Sequence, residues 1–169
     1  MEATGDTKIL FKYEYPLKWR DLPQIRASLS IKLSAAAIPR RQADPVIIII
    51  SELVENAFKY SDYKLATIIL KQDLGVPGKI IIKIHHPVSN YQTVPLKRLL
   101  VDIAQVNAAA DIDQIYLESL REATYTNTKA NRFRLALIRK TAQGSLIHLQ
   151  KSMLYKPGIS IGVIYPLPE

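Results

Sequence analysis

Directly behind the dipeptide Asp44-Pro45 the chain runs Val46-Ile47-Ile48-Ile49-Ile50. It then continues Ser51-Glu52-Leu53-Val54-Glu55-Asn56-Ala57-Phe58-Lys59-Tyr60-Ser61. Five β-branched residues in a row favour a strand, because their stiff side chains crowd a helix. Two features overrule that preference. Asp44 suits a helix N-cap, and Pro45 suits the first helical position, where its missing N–H costs nothing. The residues that follow then recur at helical spacing. A helix is therefore predicted from Pro45 to about Tyr60. At about 100° per residue it turns Val46, Ile50, Leu53, Val54 and Ala57 to one side, and it gathers Glu52, Glu55, Asn56 and Lys59 in a sector of roughly 100° on the other. The apolar side should pack on a sheet.

The strands for that sheet are legible elsewhere. Lys8 to Tyr15 alternates, with Ile9, Phe11, Tyr13 and Tyr15 on one side and Lys8, Lys12 and Glu14 on the other, which is the period of a half-buried strand. Ala66 to Gln72 and Lys79 to His85 read as two strands joined by a hairpin connection over Asp73 to Gly78. Ser145 to Met153 and Ile159 to Tyr165 form a second such pair, joined at Tyr155-Lys156-Pro157-Gly158. Helices are predicted over Leu22–Ala37, Pro95–Ala108, Asp111–Ala123 and Asn131–Gln143, the last stopped by Gly144. His86 to Thr93 reads as a loop. No repeat or linker divides the 169 residues, so residues 1–169 are expected to form one domain. Its fold class is α+β, a two-layer α/β sandwich with helices on one face of a mixed, mainly antiparallel sheet.

Composition bounds the chemistry. There is no cysteine, which excludes disulfides and thiolate catalysis. The start, MEATGDTKIL, has no apolar segment behind a basic stretch and does not read as a secretory signal. The longest apolar run, Val46 to Ile50, is too short to span a bilayer. A cytoplasmic chain is the expectation. The net charge of +8 asks for an acidic partner. An acidic protein fits best, a second copy of the chain is possible, and nucleic acid fits less well because the basic residues are dispersed.

The polar sector Glu52-Glu55-Asn56-Lys59 has two readings. In the plainer one it is a solvated face, with Glu55 and Lys59 paired at i, i+4. In the functional one it serves a magnesium–nucleotide complex. Mg²⁺ takes oxygen ligands, and the Asn56 carbonyl is a suitable neutral one. Glu52, one turn earlier, could accept a proton from an attacking hydroxyl, and Lys59 could neutralise phosphate.

The stretch SELVENAFKYS resembles the N-box of the GHKL superfamily of ATPases, most closely that of histidine kinases and anti-sigma-factor serine kinases. The order of strands and helices also resembles that family's Bergerat-type fold. The resemblance implies bacterial signalling, ATP with Mg²⁺ as cofactor, Asn56 as the magnesium ligand, Glu52 as general base and Lys59 as a phosphate contact. Two glycine motifs of the family are degenerate. Ile84-His85-His86-Pro87-Val88-Ser89-Asn90 stands where Asp-x-Gly-x-Gly is expected, lacking the Asp that recognises adenine. In Arg132-Phe133-Arg134-Leu135 an arginine replaces each glycine of the family's phosphate-cradling helix start. Glycine lets backbone N–H groups close on a phosphate, whereas Arg132 and Arg134 could hold one only through their side chains. The preceding 125–130 segment has no glycine to form a lid.

The resulting expectation is a degenerate nucleotide-binding module that works by protein contact. An active Mg-ATP-dependent serine kinase or ATPase is the alternative, and a basic nucleic-acid binder is a weaker one. Glu52, Asn56 and Lys59 are expected to face a cleft. Arg132 and Arg139 lie seven residues apart and fall within about 20° on one helix, forming an expected basic ridge for an acidic partner. His85 and His86, adjacent in a strand, should point to opposite faces and not share a metal. His148 alternates with Ile147 and Leu149 and reads as structural. Ser145 and Ser160 have no His and Asp partners spaced for a triad. Trp19 and the tyrosines are too scattered for a base-stacking platform.

Overall fold

In a computed structural model of the protein the described residues are 7–16, 21–61, 65–73, 78–91, 93–125, 130–152 and 157–167. The elements follow in the order β1 (Thr7–Pro16), α1 (Leu22–Ala35), α2 (Arg40–Tyr60), β2 (Leu65–Asp73), β3 (Lys79–Pro87), α3 (Val94–Ala108), α4 (Ile112–Tyr125), α5 (Ala130–Thr141), β4 (His148–Ser152) and β5 (Gly158–Pro166). The fold is α+β, a two-layer sandwich. Trp19, the centres of both predicted turns and residues 126–129 of the glycine-free 125–130 segment lie outside the described residues.

The five strands are ordered β1-β2-β3-β5-β4. All four pairings are antiparallel, where a mixed, mainly antiparallel sheet was expected. Burial alternates along β3 from Lys79 to Ile84 and along β2 from Ile68 to Lys71, as it must when one face of a pleated sheet is covered. Ile68, Leu70, Ile80, Ile82, Ile84, Ile161 and Val163 point inward and are almost fully buried. On them lies α2, whose Val46, Ile49, Ile50, Leu53, Val54 and Ala57 are buried as its periodicity requires.

The β1 alternation holds only in part. A register shift between Ile9 and Phe11 moves Ile9 opposite Lys71, while Phe11 opposes Leu70. The bulge thus turns Ile9 to the other face, where it is 56% exposed. Tyr13 keeps the inward register but remains 48% exposed, at an edge that the helices barely reach.

Helix α2 begins five residues before the predicted start, at Arg40, with Pro39 as N-cap. The Pro39 carbonyl accepts from Gln42 N at 2.8 Å and Ala43 N at 3.0 Å. Pro45 therefore sits inside the helix and cannot donate to the Arg41 carbonyl. Arg41 is exposed, so that carbonyl can be hydrated. Asp44 caps nothing and instead lies 3.6 Å from Arg40. At α4 the cap is conventional, with the Asp111 carboxylate accepting from Gln114 N at 2.9 Å.

β4 starts at His148, three residues later than predicted. The main chain of Ile147 is tied instead to Asn107 of α3, which donates to the Ile147 carbonyl at 2.8 Å and accepts from its N–H at 3.0 Å. β3 runs two residues further than predicted, through His86 and Pro87.

Candidate functional site

The polar side of α2 meets α5, and Arg134 decides the result. Arg134 reaches from α5 to both carboxylates of α2. Its guanidinium lies 3.5 Å from Glu52 and in closer contact with Glu55. The side chains are 31%, 18% and 14% exposed respectively, so this is a half-desolvated bridge between two helices. A carboxylate pair one turn apart repels itself, and that repulsion grows as water is removed. One guanidinium between the two relieves it. Glu55 is thus engaged with Arg134 and not with Lys59.

Glu52 keeps an unusual titration. Burial pushes its carboxyl above the ordinary carboxylate range, and Arg134 and Arg26 oppose that only in part. Arg26 belongs to α1 and also donates to Ser51 Oγ at 2.9 Å, while Ser51 donates to the Ile47 carbonyl at 2.7 Å. These contacts pin α1 to the N-terminal side of the cluster.

Asn56 and Lys59 are placed differently from the expected cleft. Asn56 is only 1% exposed, and its Nδ2 has no hydrogen-bond partner. Lys59 is exposed and donates to Asn131 Oδ1 on α5 at 2.9 Å. Asn131 is buried and passes the chain on, donating through Nδ2 to the Tyr60 hydroxyl. Burial, helped by the nearby Asp102 carboxylate, pushes the Tyr60 hydroxyl up to about 12. Asp102 itself is raised by burial, against the lowering effect of Arg132, Arg98 and Lys59.

The basic ridge is not present on α5. Arg132 is in close contact with Glu122 of α4 and donates to Gln105 of α3 at 3.3 Å. Arg139 is 8% exposed and points into the fold. It donates to the Ala109 carbonyl at 2.8 Å, to the Val106 carbonyl, and through Nε to the Gly144 carbonyl at 3.4 Å. The last carbonyls of a helix lack intrahelical donors, and Arg139 supplies them for α3. The side of α5 expected to face a partner is spent on α3 and α4.

Sequence reasoning named Glu52, Asn56, Lys59, Arg132 and Arg134. The structure brings Glu52 and Arg134 together, while Lys59 is engaged with Asn131 on α5 and Arg132 with Glu122 on α4 and Gln105 on α3. It adds Arg26, Asp102, Glu122 and Asn131, which lie outside the quoted motifs, and Ser51, which opens the stretch SELVENAFKYS but was given no role there. Only Asn131, adjacent to Arg132, had a positional hint. His85 and His86 do point to opposite faces of the sheet, both buried. Among the described residues no cluster of three or more His, Cys, Asp or Glu side chains could hold a metal ion. Nor is any described helix long and apolar enough to cross a membrane.

No family model matches this chain, and no curated protein matches it in sequence. Among solved structures it is similar to a chain in the crystal structure of the SiaB–SiaC complex from Pseudomonas aeruginosa. That similarity has a TM-score of 0.66 at 15% identity and covers 94% of this chain and 91% of that one. It extends over nearly the whole of both chains and is a likeness of fold.

Proposed function

We propose that this chain is a histidine-kinase-like, GHKL-type domain of bacterial cytoplasmic signalling whose nucleotide site is degenerate and which acts by binding another protein. The observation that carries this reading is the Arg134 bridge. The arginine lies across Glu52 and Glu55 on the face of α2 where the N-box resemblance would put a nucleotide and its magnesium. Arg132 and Lys59, the other two cations of the motif, are likewise engaged within the chain. A phosphate would have to compete with carboxylates already in place, and the glycine backbone that would cradle it is missing. The similar fold in a two-protein complex supports a protein partner.

Calorimetric titration with ATP and ADP, with and without Mg²⁺, tests this. Binding no tighter than about millimolar, or about −4 kcal/mol, is expected. Micromolar, Mg²⁺-dependent binding that is lost in Asn56→Ala would overturn the reading. It would favour the active serine-kinase alternative, for which one observation speaks. Burial raises the Glu52 carboxyl toward the range useful to a general base.

A further inference from the structure

The helices pack against one face of the sheet, and the opposite face carries a pattern of its own. Directly paired residues of antiparallel strands share a face, so the register assembles that surface row by row. One row holds Lys12, Ile69 and Lys83 on β1, β2 and β3. The adjacent row holds Ile9, Lys71, Ile81 and Ile164, reaching β5. Lysine and isoleucine therefore alternate along and across the strands. Ile69, Ile81 and Ile164 are each partly exposed, whereas their inward neighbours Ile68, Ile80 and Ile82 are 0–1% exposed. The carboxylates of this face, Glu14 and Asp73, stand one row beyond it at either end. Neither Lys71 nor Lys83 is engaged in an ion pair among the described residues.

We propose that this outward sheet face, centred on Lys71, Lys83, Ile69 and Ile81, is the docking surface for an acidic protein partner. The proposal rests on the reading of the chain as a protein-binding module. It also relocates the basic surface that the arginines of α5 do not form. Charge complementarity selects the occupant. Lys71 and Lys83 are diagonal neighbours on adjacent strands, so they present ammonium groups on stems rooted about 7–8 Å from each other. A partner with carboxylates at that spacing around an aliphatic centre would pair the lysines and dry the isoleucines together. The chain's +8 charge would steer its approach.

Two other polyanions fit the surface less well. Single-stranded nucleic acid needs rings on which bases can stack. Phe11, Tyr13 and Tyr165 belong to the inward rows, paired with Leu70, Ile68 and Ile80, and the exposed ring of the outward rows among the described residues is one imidazole, His148, opposite Gly162 on β4. An anionic bilayer rewards apolar side chains that project into it. Here the isoleucines of β2, β3 and β5 are only partly exposed between lysine stems, and Ile9 on the edge strand alone stands well out.

The test is zero-length carbodiimide cross-linking of the full chain in extract of its native cells, with the joined peptides mapped by mass spectrometry. The expected product joins Lys71 or Lys83 to an Asp or Glu of one protein. Lys71→Glu/Lys83→Glu should reduce its yield at least tenfold with an unchanged melting temperature. The Lys71→Gln/Lys83→Gln variant should give an intermediate loss and stands in if charge reversal harms folding. Capture through the helix-side Lys32, Lys97 or Lys140, indifferent to both variants, would overturn the sheet face and leave the protein-binding reading intact. Absence of any cross-linked protein would sink both. Phosphatidylserine vesicles and a 20-nucleotide oligouridine serve as parallel probes. Binding of either that is lost in the double variant would reassign the face to membrane or to nucleic acid.

Discussion

The Arg134 guanidinium on α5 lies between Glu52 and Glu55 on α2, 3.5 Å from the first and closer to the second. Two helices whose meeting side chains stand 82 positions apart in the chain thereby become one electrostatic unit.

Removing that guanidinium leaves two half-buried carboxylates facing each other. Arg134→Ala is expected to cost about 1–3 kcal/mol by chemical denaturation at neutral pH. Arg134→Ala/Glu55→Gln should recover part of the loss, because the repulsion goes with the second charge. The sign with pH is fixed by Glu52, whose folded pKa already lies above its ordinary value and must rise further without Arg134. The folded variant then takes up a proton before the unfolded chain does, so its deficit should shrink as pH falls from neutrality toward the ordinary Glu range. A deficit that is flat with pH would show that Glu52 does not feel Arg134.

The two sides of α2 should respond oppositely to truncation and to apolar replacement. Leu53 is 1% exposed against the sheet, and Leu53→Ala is expected to cost about 2–5 kcal/mol. Asn56 is equally buried, but its Nδ2 has no partner, a group that costs free energy where it stands. Asn56→Leu, similar in size, should lie within about 1 kcal/mol of the wild type or above it. A larger loss in urea denaturation would mean that the amide holds something the folded chain acquires in solution.

Arg139 should behave as a structural cap. Arg139→Ala strips donors from the carbonyls of Val106, Ala109 and Gly144 and is expected to cost about 2–4 kcal/mol. Arg139→Lys should restore little, since one ammonium group cannot reproduce the forked geometry. Arg132→Ala, on a more exposed pair, should cost clearly less. Equal losses from the two variants would contradict this division.

His85 makes stability depend on pH. It is buried, neither ring nitrogen has a hydrogen-bond partner, and burial lowers its pKa. Unfolded His85 takes a proton near pH 6.5, about the ordinary value, while the folded form resists until lower pH. Stability present above that value is therefore lost as pH falls through it toward the folded pKa. Thermal melts at about pH 7.5 and about pH 5.5 should show His85→Phe losing less on acidification than the wild type. The same fall in both proteins would assign the acid sensitivity elsewhere.

Much of the architecture was legible because it rests on short-range periodicity. The apolar positions of α2 from Val46 to Ala57, the alternation of β2 and β3, and the Gly144 stop after α5 each follow from a few neighbouring residues. Legibility failed where a local signal had a close competitor. Asp44-Pro45 is a good helix start, but the chain was already helical from Arg40. The period-two pattern of β1 concealed a bulge, because a one-residue insertion leaves composition unchanged while switching faces.

By itself, then, the sequence determined the layers, the packed side of α2 and the presence of a charged sector on its other side. Which charges meet in that sector was decided by the tertiary structure alone. Arg134 and Glu52 are separated by 82 positions, and no periodicity within either helix carries information about the other. The same holds for Arg139. Helical spacing placed it beside Arg132, but the unsatisfied carbonyls ending α3, two helices earlier in the chain, drew it inward. Desolvation makes a buried charge or carbonyl take whichever partner the packing brings within reach, and that reach is set by how the elements assemble.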